Sequence, residues 1–216
     1  MYIAFFDLDK TILNTNSGNI LILRAYKHRL LHLKDILKGL YFASLYRLNL
    51  KDTQKIIDSM AAWVNGVSER EMYNLTSEVF NDYLVRAIHR EVRAEMEYHR
   101  SRGGKIIMLS SAIFPLASLF ADYLQMDDVL CSRLECINGI YTGRAEGKLC
   151  FREEKLHRLL EYCELNKLNP LDSWYYADSI ADLPALNAVG FPVCINPDSK
   201  LRKEAKIGGW KILNWT

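Results

Sequence analysis

The chain of 216 residues lacks most of what would mark a specialised class. Its five cysteines are an odd number, and no two of them form a Cys-x-x-Cys pair. Neither a disulfide framework nor a zinc site is therefore indicated, and Cys131, Cys136, Cys150, Cys163 and Cys194 read as reduced, mostly buried thiols. No stretch approaches the ~20 apolar residues of a membrane span. The N-terminus has no basic segment leading into a long apolar one, because Asp7 interrupts the early apolar run. An excess of one charge is also missing: 28 Lys and Arg face 26 Asp and Glu, for a net charge of +2. Bulk charge thus names no polyanionic partner, and no nucleic-acid ligand is expected. No repeat or low-complexity segment appears. What remains, 50% hydrophobic and 25% charged residues, describes a soluble globular protein, expected in the cytoplasm. Its length suits one core, or a core with a small inserted domain.

The informative stretch lies at the start. Residues 2–6, Tyr-Ile-Ala-Phe-Phe, are apolar on both faces, as in a central parallel strand covered on both sides. The run ends in Asp7, Asp9 and Thr11. Unpaired buried carboxylates are costly, so two of them at a strand end call for a cation or a reactive partner. The ends of strands in open α/β sheets are where such sites form.

From Asn14 to about residue 100 the pattern turns helical: Leu21–Lys34, Ile36–Tyr46 and Gln54–Val64 carry helical apolar spacing. Asn65-Gly66 ends the third of these, and Ser68-Glu-Arg-Glu71 is a capping box opening a fourth helix that runs toward His99. Strand signals resume at Lys105–Ala112, followed by a helix opened near Pro115 and a short strand at Asp128–Cys131. Asn138-Gly139 between alternating segments is a hairpin signal. A helix from about Arg152 to Leu165, strands at Ser173–Ala177 and Pro192–Asn196, a helix at Ser199–Lys206 and a strand ending at Leu213 complete the chain. Strand and helix alternate outside the insertion, which predicts an α/β fold on a parallel sheet. The expected organisation is a core of residues 1–14 and 96–216 with a helical insertion at 15–95.

Four polar stations fall at strand ends or strand–helix junctions: Asp7-x-Asp9-x-Thr11, Ser110, Lys155 and Asp178-x-x-x-Asp182. Their order and spacing resemble the haloacid dehalogenase-like (HAD) hydrolases. Ala4–Thr11, Arg152-Glu-Glu-Lys155, Tyr176–Leu186 and Asn196–Ala205 are similar to subfamily IB, the branch of phosphoserine phosphatase. The resemblance implies a Rossmann-like parallel core with a helical cap inserted between the first two motifs. It also implies phosphomonoester hydrolysis through an aspartyl-phosphate on Asp7. Asp9 would act as the proton donor and acceptor. Mg2+ would be held by Asp7, Asp178, the Asp9 carbonyl and, more distantly, Asp182. Ser110 would donate to a phosphoryl oxygen and Lys155 would neutralise charge, with Thr11 and the neighbouring Ser111 also near the phosphate. Ser110 is preferred over Ser111 because it directly follows the apolar run. Lys10 stands where the superfamily often has glycine, and its side chain is expected to point away from the two acids.

Phosphoserine phosphatases carry a glutamate soon after the first motif and Ser-Gly-Gly in the second; this chain reads Ile12-Leu-Asn-Thr-Asn-Ser17 and Ser110-Ser-Ala. The substrate expected is therefore a small or lipid-like phosphomonoester, not specifically phosphoserine. The first half of the insertion is basic, with Arg24, Lys27, Arg29, Lys34, Lys38, Arg47, Lys51 and Lys55 interleaved with apolar residues. It is open to peripheral contact with an anionic membrane. His28, His32, His89, His99 and His157 read as surface or boundary residues. Competing functions are phosphoryl transfer to an alcohol, and a non-catalytic module that keeps the fold.

Overall fold

The computed structural model describes residues 2–33 and 61–216. The helix expected over Ile36–Tyr46, most of that over Gln54–Val64, and Lys34, Lys38, Arg47, Lys51 and Lys55 lie outside the described residues. Among those described, six strands form one sheet in the order β3-β2-β1-β6-β7-β8. These are β1 (Tyr2–Phe6), β2 (Gly104–Ile113), β3 (Asp128–Ser132), β6 (Trp174–Ala177), β7 (Phe191–Ile195) and β8 (Lys211–Leu213), and every neighbouring pair is parallel. The remaining two, β4 (Leu134–Ile137) and β5 (Ile140–Ala145), make an antiparallel hairpin. Asn138 and Gly139 take φ of 52° and 78° at its tip, the left-handed pair that a tight hairpin turn requires.

The period of two along the strands sorts side chains onto two cores. Ala4, Phe6, Ile106, Met108, Tyr176, Val193 and Ile195 face one, while Ile3, Phe5, Ile107, Leu109, Tyr175, Ala177 and Cys194 face the other. Helices cover both faces, so each strand reads as a continuous apolar run. The first core takes α1 (Ser17–Lys27), α2 (Glu69–Val79), α3 (Val92–Arg100) and α4 (Phe114–Leu124), through residues such as Leu21, Met72, Met96 and Phe120. The second takes α5 (Glu153–Leu165), α6 (Leu183–Leu186) and α7 (Ser199–Ile207), through Leu159, Ala185 and Leu201.

The capping box at Ser68 forms as expected, with Ser68 N–H donating to Glu71 Oε2 (2.8 Å) and Glu71 N–H to Ser68 Oγ (3.2 Å). The long helix expected to follow it is instead two helices. The chain must return to the core between them, and Asn14 N–H to Ala87 O (2.8 Å) and His89 N–H to Ile12 O (3.0 Å) pair the outgoing and returning segments in an antiparallel neck. Residues needed for that pairing cannot continue α2. The hairpin ties the same region to the core, since Tyr141 N–H donates to Val67 O and Gly66 N–H to Tyr141 O, each at 2.9 Å. On the insertion side Glu78 binds both Arg24 and His28, joining α1 to α2.

Two of the five histidines depart from the surface reading: His89 and His99 are buried. His99 is built into a polar chain that shields its ring nitrogens from the need for water, as described below. No helix among the described residues is long and apolar enough to cross a membrane.

Candidate active site

Strand order reverses between β1 and β6, and their C-terminal ends open the crevice where α/β sheets bind ligands. Asp7 follows β1 and Asp178 follows β6; the Asp7 N–H still donates to Tyr176 O (3.0 Å), which locks the first carboxylate to the neighbouring strand. Asp7 also continues the series Ile3, Phe5, so the pleat aims it at the face covered by α5. Lys155 on the first turns of α5 meets it there. Lys155 Nζ lies 2.9 Å from Asp7 Oδ1 and 2.6 Å from Asp182 Oδ1. All three are at most 5% exposed. A tight turn at Ile180–Asp182, opened by the Ser179 hydroxyl, folds Asp182 back so that carboxylate oxygens of Asp7, Asp178 and Asp182 lie within 4.8 Å of one another.

Burial dominates the electrostatics. It pushes the Asp7 carboxyl up, to about 7, with Lys155 opposing and Asp182 reinforcing. It raises Asp178 to about 8, with Asp7 and Asp182 adding to the effect. Lys155 is the opposite case: burial favours its neutral form, but the Asp182 and Asp7 carboxylates outweigh it and hold the ammonium above its usual range. Asp9 is half-buried and also raised by burial, against hydrogen bonds from Ser17, whose backbone N–H donates to Asp9 Oδ1 at 2.8 Å.

Two supporting residues stand outside the sequence-based set. Tyr175, one residue before Tyr176 in β6, donates its hydroxyl to Asp182 Oδ1 (2.6 Å) and accepts from Lys155 Nζ (3.2 Å). Asp198, which caps α7, accepts the Ile180 N–H (2.8 Å), and its own N–H donates to the Asp178 carbonyl (2.9 Å). It therefore fixes the loop between the two acids. Asp198 had a sequence signal, Asp before Ser199 at a helix start; Tyr175 had none beyond its place in an apolar strand.

The second motif resolves differently from the expectation for Ser110. Ser110 continues Ile106 and Met108 away from Asp7; it is fully buried, and its Oγ accepts the Ala112 N–H at 3.3 Å. Ser111 continues Ile107 and Leu109 on the face of Asp7, is exposed, and lines the cleft. Thr11 is fully buried, with its hydroxyl lacking a partner among the described residues. Lys10 is exposed and lines the cleft, and its charge lowers the pKa of Asp9 and Asp178 against the larger effect of burial.

The cleft, about 180 Å³, is lined by Asp7, Asp9, Lys10, Asn16, Ser111, Phe151, Lys155, Asp178, Ser179, Ala181 and Asp182. A larger one of about 400 Å³ opens at the N-terminal ends of β6 to β8, walled by Trp174, Phe191 and Trp210; among the described residues Lys211 is the one ionisable group lining it. Chemistry belongs to the smaller. There, three carboxylates converge against one ammonium, and Lys155 Nζ is the donor that Asp7 Oδ1 meets among the described residues. Hard oxygen ligands with surplus negative charge fit a divalent cation of the Mg2+ type.

Carboxylates, a lysine and a hydroxyl at the switch point of a parallel sheet define a hydrolase of the α/β class. The chain belongs to the haloacid dehalogenase-like hydrolases, whose family model matches residues 4–187. It is similar to a phosphoserine phosphatase of Mycobacterium tuberculosis, 29% identical over 97% of this chain and 69% of that one. A histidinol-phosphatase of Neisseria meningitidis is 29% identical over 99% of this chain and 98% of its own length. In three dimensions the chain resembles a Bordetella pertussis protein of unknown function, with a TM-score of 0.86 at 23% identity over 98% and 97% of the two chains. The expected fold and phosphatase class are thus borne out.

Proposed function

We propose that the protein is a Mg2+-dependent phosphomonoesterase that works through an aspartyl-phosphate on Asp7. The observation that carries this reading is the state of Asp7: buried, with Oδ1 held 2.9 Å from the Lys155 ammonium and Oδ2 free of hydrogen bonds among the described residues. That oxygen attacks phosphorus; the new Asp7 O–P bond forms as the ester P–O bond breaks, and the departing alkoxide takes a proton from Asp9. Water then gives its proton to Asp9 and attacks the same phosphorus, which breaks the Asp7 O–P bond and releases inorganic phosphate. Lys155 stabilises the charge that develops on the phosphoryl oxygens, and Ser111, on the same face as Asp7, donates to one of them. Asp7, Asp178 and the Asp9 carbonyl, with Asp182 behind, would hold Mg2+, which would supply further neutralisation of the transferring group. The helices beyond the neck form the cap over this cleft. The substrate class is a small or lipid-like phosphomonoester.

Replacement Asp7→Asn tests the assignment. Hydrolysis of an aryl phosphate in the presence of Mg2+ should fall by at least about a thousandfold, while circular dichroism stays that of the folded protein. Turnover retained in the variant removes Asp7 from the nucleophile role.

A further inference from the structure

We propose that Lys10 is a specificity-determining residue, favouring phosphomonoesters with a second anionic group a few bonds from the ester and disfavouring those with an ammonium there. The inference rests on the phosphatase reading of Asp7 and adds the substrate chemistry that the cleft rim accepts.

Lys10 sits at φ 57° and ψ 8°, inside the turn that joins β1 to α1. A lysine in this left-handed region costs about 1 kcal/mol relative to the glycine that such a position favours, and strain of this kind gathers at functional sites. The turn fixes it through Lys10 N–H to Thr15 O at 3.1 Å. The residue is exposed and lines the cleft, and it makes no ion pair among the described residues. Its acidic neighbours on the cleft are Asp9 and Asp178, both committed to the reaction.

Among the described residues the rest of the rim carries no acid. Apart from Asp7, Asp9, Asp178 and Asp182, the lining residues are Asn16, Ser111, Phe151, Ser179, Ala181 and the two lysines. Asn16 has spent its carbonyl on the Asn19 N–H (3.0 Å), which leaves its amide as a donor. Phe151 is 40% exposed on the cleft, with the Arg152 guanidinium 5.5 Å from its ring centre. An incoming group beside the phosphate therefore meets positive charge, amide and hydroxyl donors and an aromatic face. A carboxylate or second phosphate is complementary to that set, whereas an ammonium would face Lys10 with no further acid among the described lining residues to receive it.

The test compares phosphoglycolate, ethyl phosphate and phosphoethanolamine, which share the ester and differ in the added group. With Mg2+ present, kcat/KM for phosphoglycolate should exceed that for ethyl phosphate about fivefold to tenfold, with phosphoethanolamine lowest. Lys10→Gln should bring the three to within about twofold of one another, Lys10→Arg should keep the order, and Lys10→Glu should move phosphoethanolamine ahead. Because each ratio is internal to one protein, a general loss of activity does not disturb it. The same three compounds titrated calorimetrically into Asp7→Asn protein report binding without turnover. Equal binding of phosphoglycolate and ethyl phosphate, or ratios unmoved by Lys10→Gln, overturns the role of Lys10. Absent phosphate release with the binding preference intact overturns the phosphatase reading instead.

Discussion

Tyr175 and Tyr176 are neighbours in β6, both fully buried, and the pleat sends them to opposite faces of the sheet. On the first face Tyr176 accepts from His99 Nε2–H (2.7 Å) and donates to Glu95 Oε1 (2.7 Å), while the Tyr2 hydroxyl donates to His99 Nδ1 (2.9 Å). Each polar atom of that chain has a partner, and the donor order fixes the neutral His99 tautomer. Tyr175 joins a different network. It contacts Lys155 and Asp182, beyond which Asp7 and Asp178 crowd a site where three carboxylates share one ammonium. The closed network is a structural element, and the open one holds surplus negative charge. Buried polarity alone does not separate the two; whether the hydrogen-bond accounts close does.

The sharpest way to break this comparison is with the metal. Mg2+ at about 100 times its dissociation constant should add ~2.7 kcal/mol of stability, a rise of roughly 5 to 10 °C in Tm for a chain of this size. Asp178→Asn should abolish that rise. The pH dependence sharpens the point. Asp7 and Asp178 hold their protons in the folded state up to about 7 and about 8, above the unfolded value near 4. Metal-free stability should therefore be greatest below about pH 4 for these two groups, decline as the pH rises from about 4 to about 8 and level off above, with Mg2+ removing the decline. A Tm indifferent to Mg2+ at pH 8 would sink the account of the open network.

On the other face, Tyr176→Phe removes one hydroxyl and leaves both the His99 Nε2–H and Glu95 without it. Urea unfolding should show a loss of about 1 to 3 kcal/mol. The Mg2+-induced rise in Tm should persist in this variant, since the backbone bond from Asp7 N–H to Tyr176 O does not involve the ring. If the rise disappears, the two faces are one network and the distinction fails.

Much of this arrangement is legible in the sequence, unevenly. Strand runs such as Tyr2–Phe6, the Asn138-Gly139 turn and the Ser68 capping box are local signals, and each forms where its residues predict. The acids Asp7 and Asp178 declare themselves because a carboxylate after an apolar run is costly. What fails is whatever depends on partners distant in the chain. The break between α2 and α3 exists because residues 87–89 must pair with 12–14, and nothing within residues 80–91 announces it. Ser110 and Ser111 are alike in composition, and only the register of β2 against β1, Phe6 opposite Met108, shows which of them shares a face with Asp7. His99 reads as a surface residue because its two tyrosine partners lie 97 and 77 positions away.

That histidine supplies the smallest expected effect and the finest division between the networks. Burial pushes its pKa down to about 4, with Lys211 and Arg102 adding to the depression and Glu95 opposing it. The unfolded chain titrates near 6.5, so above that pH both states are neutral and His99 contributes no slope. Between 6.5 and 4 the unfolded state takes up a proton that the folded state refuses, and stability falls as the pH falls. Relative to a His99→Gln variant, the wild type should lose on the order of 2 kcal/mol across that window, with the difference flat above pH 7 and again below about pH 4. This slope runs opposite to that of the carboxylate cluster, and Mg2+ should leave it unchanged. Parallel stability curves for wild type and His99→Gln from pH 7 to pH 4 would show that the closed network accepts a proton as readily as water does.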